Sequence, residues 1–153
     1  MFVVDTNVLI YATNRKSPFH PVCHGLMEKW RNQSESWYLT GGICYEYLRV
    51  VTHPRVLENP WTLKQGWSFL EALLESPGLG LLVETDRHWK VAAQVVEEFP
   101  HSSGNLLHDL HTAVLMREHG IQRIYSRDTD FHRFPFIEPV DPITTATSPG
   151  LDL

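Results

Sequence analysis

The stretch that decides the fold is MFVVDTNVLIYA, residues 1–12. The short apolar run from Phe2 to Val4 is typical of a buried strand. The segment after it, TNVLIYATN, predicts a brief helix capped by Asp5 or Thr6. Asp5 therefore stands between two apolar segments, where burying an unpaired carboxylate costs several kcal/mol. An acid at this position needs a cap, a partner or a function to account for it.

Short apolar strands and amphipathic helices alternate along the rest of the chain. Further strands are predicted at 36–41, 80–84, 121–126 and 136–140, and further helices at 17–33, 42–53, 62–76, 85–99 and 106–120. Thr85 or Asp86 is the candidate N-cap of the helix at 85–99, and Gly120 ends the last one. The pattern predicts a single α/β domain, a three-layer α/β/α sandwich with a mainly parallel central sheet, over residues 1–140. Residues 141–153, rich in Pro, Thr and Ser, are predicted to be a loosely ordered C-terminal tail.

The composition limits the classes of protein that are compatible with this sequence. With 42% hydrophobic and 20% charged residues in 153, the chain is globular. No apolar stretch approaches the roughly 20 residues that span a bilayer, and Asp5 interrupts the start in a way that is untypical of a signal peptide. The two cysteines, Cys23 and Cys44, are too few for a disulfide framework, which favours a reducing cytoplasm. The net charge of −5 argues against a protein that coats nucleic acid non-specifically.

Four acids occupy positions that a folding argument alone does not favour. Asp5 and Asp128 each follow a predicted strand, and the carboxyl ends of parallel strands meet at one edge of a sheet, where ligands bind. Glu46 shares a helix face with Ile43 and Tyr47, and this face should pack on the sheet. Asp109 is on the apolar face of the helix 106–120. Sequence therefore predicts four carboxylates near one edge.

Carboxylates gathered in this way repel one another unless a cation joins them. Carboxylate oxygens are the ligands of Mg²⁺ and Mn²⁺, which also bind phosphate oxygens, so the cluster indicates a metal site that acts on phosphodiesters. Each acid has a simpler explanation when taken alone. Asp5 and Asp128 could cap a helix and a turn, Glu46 could pair with an arginine, and Asp109 could pair with Arg117 or a histidine. The conjunction of all four favours the metal site.

Four stretches, VVDTNVLIYA, YEYLRVV, HDLHTAVLMREHGI and YSRDTDFHRF, together resemble the PIN-domain family, from residue 1 to about residue 140. They are most similar to its VapC branch, the ribonuclease toxins of type II toxin–antitoxin systems. The resemblance implies Mg²⁺- or Mn²⁺-dependent endonuclease activity on RNA. It assigns the four catalytic acids to Asp5, Glu46, Asp109 and Asp128, with Asp5 and Asp109 in direct contact with the metal. Asn7 and Ser126 match supporting polar positions that orient the first acid, and Asp130 competes with Asp128 for the fourth role.

The resemblance also implies partners. Members of this branch form homodimers and are inhibited by a small VapB-type antitoxin, which often places a basic side chain in the acidic pocket. Candidate RNA contacts are Arg49, Arg55, Lys90 and Arg127. A PIN-type nuclease of RNA or DNA processing without an antitoxin is one alternative. A non-catalytic RNA- or protein-binding module on the same fold is the other.

The remaining motifs do not indicate a second chemistry. His20 and His24, or His108 and His111, could each supply two zinc ligands, but no Cys/His set completes a tetrahedral site at a recognisable spacing. Cys44 has no surroundings typical of a nucleophile. Most of the five tryptophans are expected in the core or in a dimer interface.

Overall fold

The computed structural model describes residues 1–147, and its centre is a sheet of five parallel strands. The strands are β1 (Phe2–Val4), β2 (Trp37–Thr40), β3 (Leu79–Leu82), β4 (Arg123–Tyr125) and β5 (Glu138–Val140). Their order is β3-β2-β1-β4-β5, so that β1 pairs with β2 on one side and with β4 on the other. All three residues of β1 are buried, as expected for a parallel strand that is covered on both faces. The predicted parallel sheet is confirmed.

Seven helices and one 3-10 helix connect or follow these strands in the described part of the chain. They are α1 (Thr6–Thr13), α2 (His20–Asn32), α3 (Gly41–Val51), α4 (Leu63–Leu74), α5 (His88–Glu98), α6 (Leu106–His119), the 3-10 helix (Thr129–Arg133) and α7 (Pro142–Thr147).

The connections distribute the helices over two layers. From β1 the chain moves through α1 and α2 to β2, and through α3 and α4 to β3, always in one direction across the sheet. From β3 it returns through α5 and α6 to β4, beyond β1. Because parallel crossovers are right-handed, a reversal of direction moves the connecting helices to the opposite face. The helix contacts agree: α1 packs on α2 and α3, whereas α5 packs on α6. The three-layer sandwich is therefore confirmed.

Aromatic side chains fill the core near β1 and β2. The ring of Phe2 lies 5.1 Å from that of Trp30 and 6.4 Å from that of Trp37, between ring centroids. Both tryptophans are buried, as predicted for most of the five. Trp67 and Trp89 are exposed instead, at 47% and 78% of their surface.

The start of α5 was predicted wrongly. The helix begins at His88 rather than at residue 85, its N-cap position is Arg87, and no side chain caps it. The hydroxyl of Thr85 accepts a hydrogen bond from the backbone N–H of Arg87 at 3.2 Å, one residue before the helix begins, and donates one to the carboxylate of Glu118 on α6. The predicted end of α6 is confirmed, since Gly120 is its C-cap in the left-handed region, with φ of 70°.

The first part of the predicted tail, Pro142–Thr147, is the helix α7, which packs against α2. Residues 148–153 lie outside the described range, so the loose order predicted for them stays a prediction. Within residues 1–147, no helix has the length and apolar character that crossing a membrane requires.

Candidate active site

The candidate site is a crevice at the carboxyl ends of β1 and β4. The chain leaves these neighbouring strands toward opposite edges of the sheet, which is where open parallel sheets bind their ligands. A cavity of about 760 Å³ opens there. The four acids predicted from the sequence all line it, and a fifth, Asp130, lines it with them. The structure therefore brings together the predicted residues Asp5, Glu46, Asp109, Asp128 and Asp130.

Asp5 is held rigidly at the end of β1. One carboxylate oxygen accepts a hydrogen bond from the backbone N–H of Thr6 at 2.7 Å, which makes Asp5 the N-cap of α1. The other oxygen accepts from the amide of Asn7 at 2.9 Å and from the hydroxyl of Ser126 at 2.6 Å. Asn7 and Ser126 thus lie where the sequence analysis expects residues that orient the first acid. Since two carboxylate oxygens offer about four acceptor positions, Asp5 keeps one for a further ligand.

Ser126 also connects the ends of β1 and β4. Its oxygen accepts hydrogen bonds from the amide of Asn7 at 3.1 Å and from the backbone N–H of Asp128 at 2.9 Å. The pKa of Asp5 is raised to about 6, mainly by burial, with a smaller contribution from the charge of Asp128, and the hydrogen bonds from Ser126 and the backbone of Thr6 oppose this increase. Without a cation, the structure therefore disfavours the ionised form of Asp5.

Burial and three neighbouring acids raise the pKa of Asp109, which lies in the first turn of α6. Its pKa is raised to about 7, first by burial and then by the charges of Asp128, Asp5 and Asp130 in that order. Within residues 1–147, its carboxylate accepts no hydrogen bond that would offset these effects. The site therefore holds Asp109 close to half-protonated at neutral pH in the absence of a cation.

Asp109, Asp128 and Asp130 have the spacing that a divalent cation requires. One carboxylate oxygen from each lies within 4.8 Å of the other two. Ligands at about 2.1 Å in an octahedron are about 3.0 Å apart when adjacent and about 4.2 Å apart when opposite, so such a group can contact one Mg²⁺. Hard oxygen donors are also the ligands that Mg²⁺ and Mn²⁺ prefer. These residues fit the metal that the sequence predicts.

Asp128 and Asp130 both belong to this group, so which of them is the fourth acid stays open. Asp128 caps the 3-10 helix by accepting a hydrogen bond from the backbone N–H of Asp130 at 2.8 Å, which fixes the two side chains relative to each other. Asp5 lines the same cavity but does not belong to this three-residue group. Direct contact of Asp5 with the metal stays a prediction.

Glu46 differs from the expectation of a buried acid. Its side chain is 34% exposed at the edge of the cavity, and both of its oxygens bind the guanidinium of Arg49, at 2.6 and 2.8 Å. The hydrogen bond from Arg49 lowers the pKa of Glu46 below its usual value. The sequence places Glu46 on the buried face of α3 with Ile43 and Tyr47, and this prediction is wrong. In the structure Glu46 lies at the boundary between that face and the exposed face. The pairing with an arginine is the alternative that the sequence left open.

Of the four candidate RNA contacts, two already bind acids of the same chain. Arg49 binds Glu46, and Arg127 binds Asp141 at 3.3 Å, with its guanidinium 4.0 Å above the ring of Phe19. The side chains of Arg55 and Lys90 are exposed and do not line the cavity.

Neither histidine pair forms a metal-ligating group in the described part of the chain. His20 and His24 stack on each other, with ring centroids 5.1 Å apart. His111 groups instead with Glu84 and His88, which sequence analysis did not identify. The only local signal was the four-residue spacing between Glu84 and His88.

The two cysteines are free thiols. Burial raises the pKa of each to about 11, which makes Cys44 a poor nucleophile at neutral pH.

Comparisons with known proteins show which family this chain resembles. The profile of the PIN domain matches residues 2–137. Ribonuclease VapC48 of Mycobacterium tuberculosis is 36% identical over 140 residues, which cover 92% of this chain and 96% of that protein.

Two solved structures have the same fold. The crystal structure of M. tuberculosis VapC20, described as a toxin that cleaves the sarcin–ricin loop, superposes with a TM-score of 0.65 at 17% identity over 90% of this chain and 98% of that one. VapBC2 of Rickettsia felis, bound to a promoter DNA fragment, gives 0.64 at 15% identity, over 91% and 96% of the two chains.

At these identities the solved structures establish the fold alone. The profile match covers most of the chain, and the similarity to VapC48 extends over nearly all of it. The chain therefore belongs to the PIN-domain family and to its VapC branch.

Proposed function

We propose that this chain is an endoribonuclease that hydrolyses RNA phosphodiesters with Mg²⁺ or Mn²⁺ and acts as the toxin of a VapB–VapC pair. The observation that carries the proposal is the convergence of five carboxylates on one cavity, three of them with oxygens within 4.8 Å of one another. The names of the relatives support it, since VapC48 is a ribonuclease and VapC20 cleaves the sarcin–ricin loop.

In this proposal Asp109, Asp128 and Asp130 hold the cation, and Asp5 contributes its remaining acceptor position. When bound, the cation orients a water molecule, lowers the pKa of that water and offsets negative charge on the phosphate and the leaving oxygen. The hydrogen bonds from Thr6, Asn7 and Ser126 keep the carboxylate of Asp5 fixed, so that little reorganisation is needed when substrate binds.

The acids also make the binding of RNA depend on the cation. A cavity lined by five carboxylates repels the phosphate backbone of a nucleic acid unless a divalent ion offsets their charge. Cation binding displaces the proton that Asp109, with its raised pKa, holds near neutral pH. The affinity for Mg²⁺ should therefore increase as the pH rises from about 6 to 8.

The same negative charge suits a basic inhibitor. We expect a VapB-type antitoxin to place an arginine in the cavity, since a guanidinium binds carboxylates through two parallel hydrogen bonds. The solved complex of VapBC2 supports a partner of this kind. Arg49 already binds Glu46 in this way at the edge of the cavity. The homodimer and the cytoplasm as the place of action are further parts of the proposal.

The decisive experiment is cleavage of purified total RNA by the wild-type chain, with Asp109→Asn as the test variant and Asp86→Asn as the control. Asp86 is exposed and does not line the cavity. Metal assistance supplies several kcal/mol and each tenfold in rate is 1.36 kcal/mol, so Asp109→Asn should be slower by at least about 100-fold. Asp86→Asn should cut like the wild type, and EDTA should stop both.

Two further results would separate the alternatives. Wild-type protein that gains no thermal stability from Mn²⁺ and leaves RNA intact would favour the non-catalytic module. RNA cleavage in vitro with no growth inhibition on expression would favour a processing nuclease. Growth inhibition that a small DNA-binding protein encoded beside this chain does not relieve would favour it too.

A further inference from the structure

A second group of metal-ligating side chains lies beside the acidic cavity. It consists of Glu84, which follows β3, His88, the first residue of α5, and His111 on α6. One ligand atom from each residue lies within 4.8 Å of the other two. None of the three belongs to the aspartate group, although His111 also lines the cavity.

Two of the three spacings between these atoms match the edges of a tetrahedral site. The Oε1 atom of Glu84 lies 3.5 Å from Nε2 of His88 and 3.6 Å from Nε2 of His111. A tetrahedral zinc ion with bonds of about 2.0–2.2 Å to nitrogen and oxygen separates its ligands by about 3.4 Å. The two measured distances agree with this value to within about the tolerance of 0.2 Å used for proposed metal sites.

The orientation of His88 is fixed by a buried carboxylate. Its ring is 3% exposed, and its Nδ1 lies 2.7 Å from Oε2 of Glu118, which is itself buried. The other oxygen of Glu118 accepts hydrogen bonds from the backbone N–H and the hydroxyl of Thr85. Burial raises the pKa of Glu118, but the hydrogen bonds from Thr85 and His88 outweigh it and lower the pKa to about 2.

An ionised Glu118 only accepts hydrogen bonds, so Nδ1 of His88 carries a proton and donates it to that carboxylate. In the neutral ring this leaves the lone pair of Nε2 directed toward Glu84 and His111. Carboxylate, histidine and metal arranged in series are the usual environment of a metal-binding histidine, in which the carboxylate sets the tautomer.

A purely structural role accounts for only part of the arrangement. A hydrogen bond between His88 and Glu118 is enough to join α5 to α6. It does not account for the approach of Glu84 and His111 to the opposite side of the ring. Within residues 1–147, neither Nε2 atom makes a hydrogen bond, so both remain available as ligands.

We propose that Glu84, His88 and His111 form a Zn²⁺ site that joins the turn after β3 to α6 and leaves a fourth position open. Two imidazoles and one carboxylate suit Zn²⁺, whereas Mg²⁺ prefers oxygen ligands. The side chains of Glu84 and His111 are 51% and 44% exposed, which leaves room for water or another oxygen ligand. The site does not depend on the proposed nuclease activity.

The test is titration of the full-length chain with Zn²⁺ by calorimetry, in excess Mg²⁺ to saturate the aspartate group. Glu84→Gln and His111→Ala are the test variants, because both side chains are exposed enough for the fold to be retained. His108→Ala is the matched control, since it removes an exposed histidine from the same helix outside the group. The parent should bind one Zn²⁺. Each test variant should bind it at least about 10–100-fold more weakly, and the control should bind it as the parent does.

Co²⁺ gives an independent readout, because four-coordinate Co²⁺ absorbs visible light far more strongly than six-coordinate Co²⁺. The parent and His108→Ala should show this absorption, and Glu84→Gln should lose it. A parent that binds no Zn²⁺ would overturn the proposal and leave His88 as a structural partner of the two glutamates. Equal affinities in parent and test variants, or a loss confined to one test variant, would also overturn it.

Discussion

Replacing Asp109 with Asn should make the metal-free protein more stable at about pH 8. The pKa of Asp109 is raised from 3.8 to about 7, first by burial and then by the charges of Asp128, Asp5 and Asp130. Above this pKa the carboxylate is ionised in both states, but its ionisation costs more free energy in the folded protein than in the unfolded chain. Asparagine has nearly the same shape and no charge, so the substitution removes this cost.

The magnitude follows from the difference between the two pKa values. One pKa unit corresponds to 1.36 kcal/mol, so ionising Asp109 costs the folded state at most about 4 kcal/mol. The side chain is only partly buried, and solvent screening reduces this figure to about 2 kcal/mol. Between the unfolded and the folded pKa, the folded state binds more protons than the unfolded state. The free energy of unfolding therefore decreases as the pH rises from about 4 to 7.

The assay is urea unfolding of wild type and Asp109→Asn in EDTA, at about pH 8 and pH 4.5, with Asp86→Asn as the control. The test variant should gain about 2 kcal/mol at pH 8, a rise in Tm of about 4–8 °C, and about 1 kcal/mol or less at pH 4.5. Saturating Mg²⁺ should reduce the difference at pH 8, because it stabilises the wild type more. Asp109→Asn that is equally or less stable than the wild type at both pH values would refute the reasoning.

Three other substitutions test separate parts of the structure. Ser126→Ala removes a hydrogen bond that lowers the pKa of Asp5, so the acidic limb of the pH–rate profile for RNA cleavage should move to higher pH; an unchanged profile would contradict the role of this bond. Arg49→Ala leaves Glu46 without its bidentate partner, so calorimetry should find tighter Mg²⁺ binding. The unfolding free energy of Arg49→Ala should differ from that of the wild type by no more than about 1 kcal/mol, as for other exposed pairs. Weaker Mg²⁺ binding would contradict the idea that the unpaired charge of Glu46 attracts the cation. Gly120→Ala places a Cβ in the left-handed region at φ of 70° and should lower the unfolding free energy by about 1–2 kcal/mol; no change in urea unfolding would contradict the cap assignment.

The sheet and the position of the acids could be predicted from the sequence because both depend on local patterns. A parallel strand buried on both faces reads as an apolar run, and the residue after it must lie at the edge of the sheet. This reasoning placed Asp5 and Asp128 correctly at the ends of β1 and β4. The apolar face of α6 likewise brought Asp109 into the same cavity.

The exact partners of the side chains could not be predicted in the same way. Glu46 is on the boundary between two faces of α3, where a rotation of a few tens of degrees decides between burial and pairing with Arg49. The position of Thr85 before α5 depends on Glu118, 33 residues away, whose carboxylate accepts hydrogen bonds from the backbone N–H and the hydroxyl of Thr85. The second outcome depends on a contact between distant segments.

The histidine group was missed for the same reason. Glu84 and His88 are four residues apart, but His111 reaches them only because α5 packs on α6. In a sequence, zinc ligands are visible as histidines spaced along one helix or as Cys/His pairs at a recognisable spacing. A ligand group assembled from one turn and two helices does not appear as a motif.

The central claim is that Asp109, Asp128 and Asp130 hold a divalent cation at the end of the sheet. Anomalous diffraction from crystals grown with Mn²⁺ tests it most directly, because the signal locates the ion without any assumption about activity. We expect an Mn²⁺ peak in contact with oxygens of all three aspartates, and its loss in Asp109→Asn crystals grown in the same way. A fully ordered wild-type cavity without a peak at saturating Mn²⁺ would contradict it.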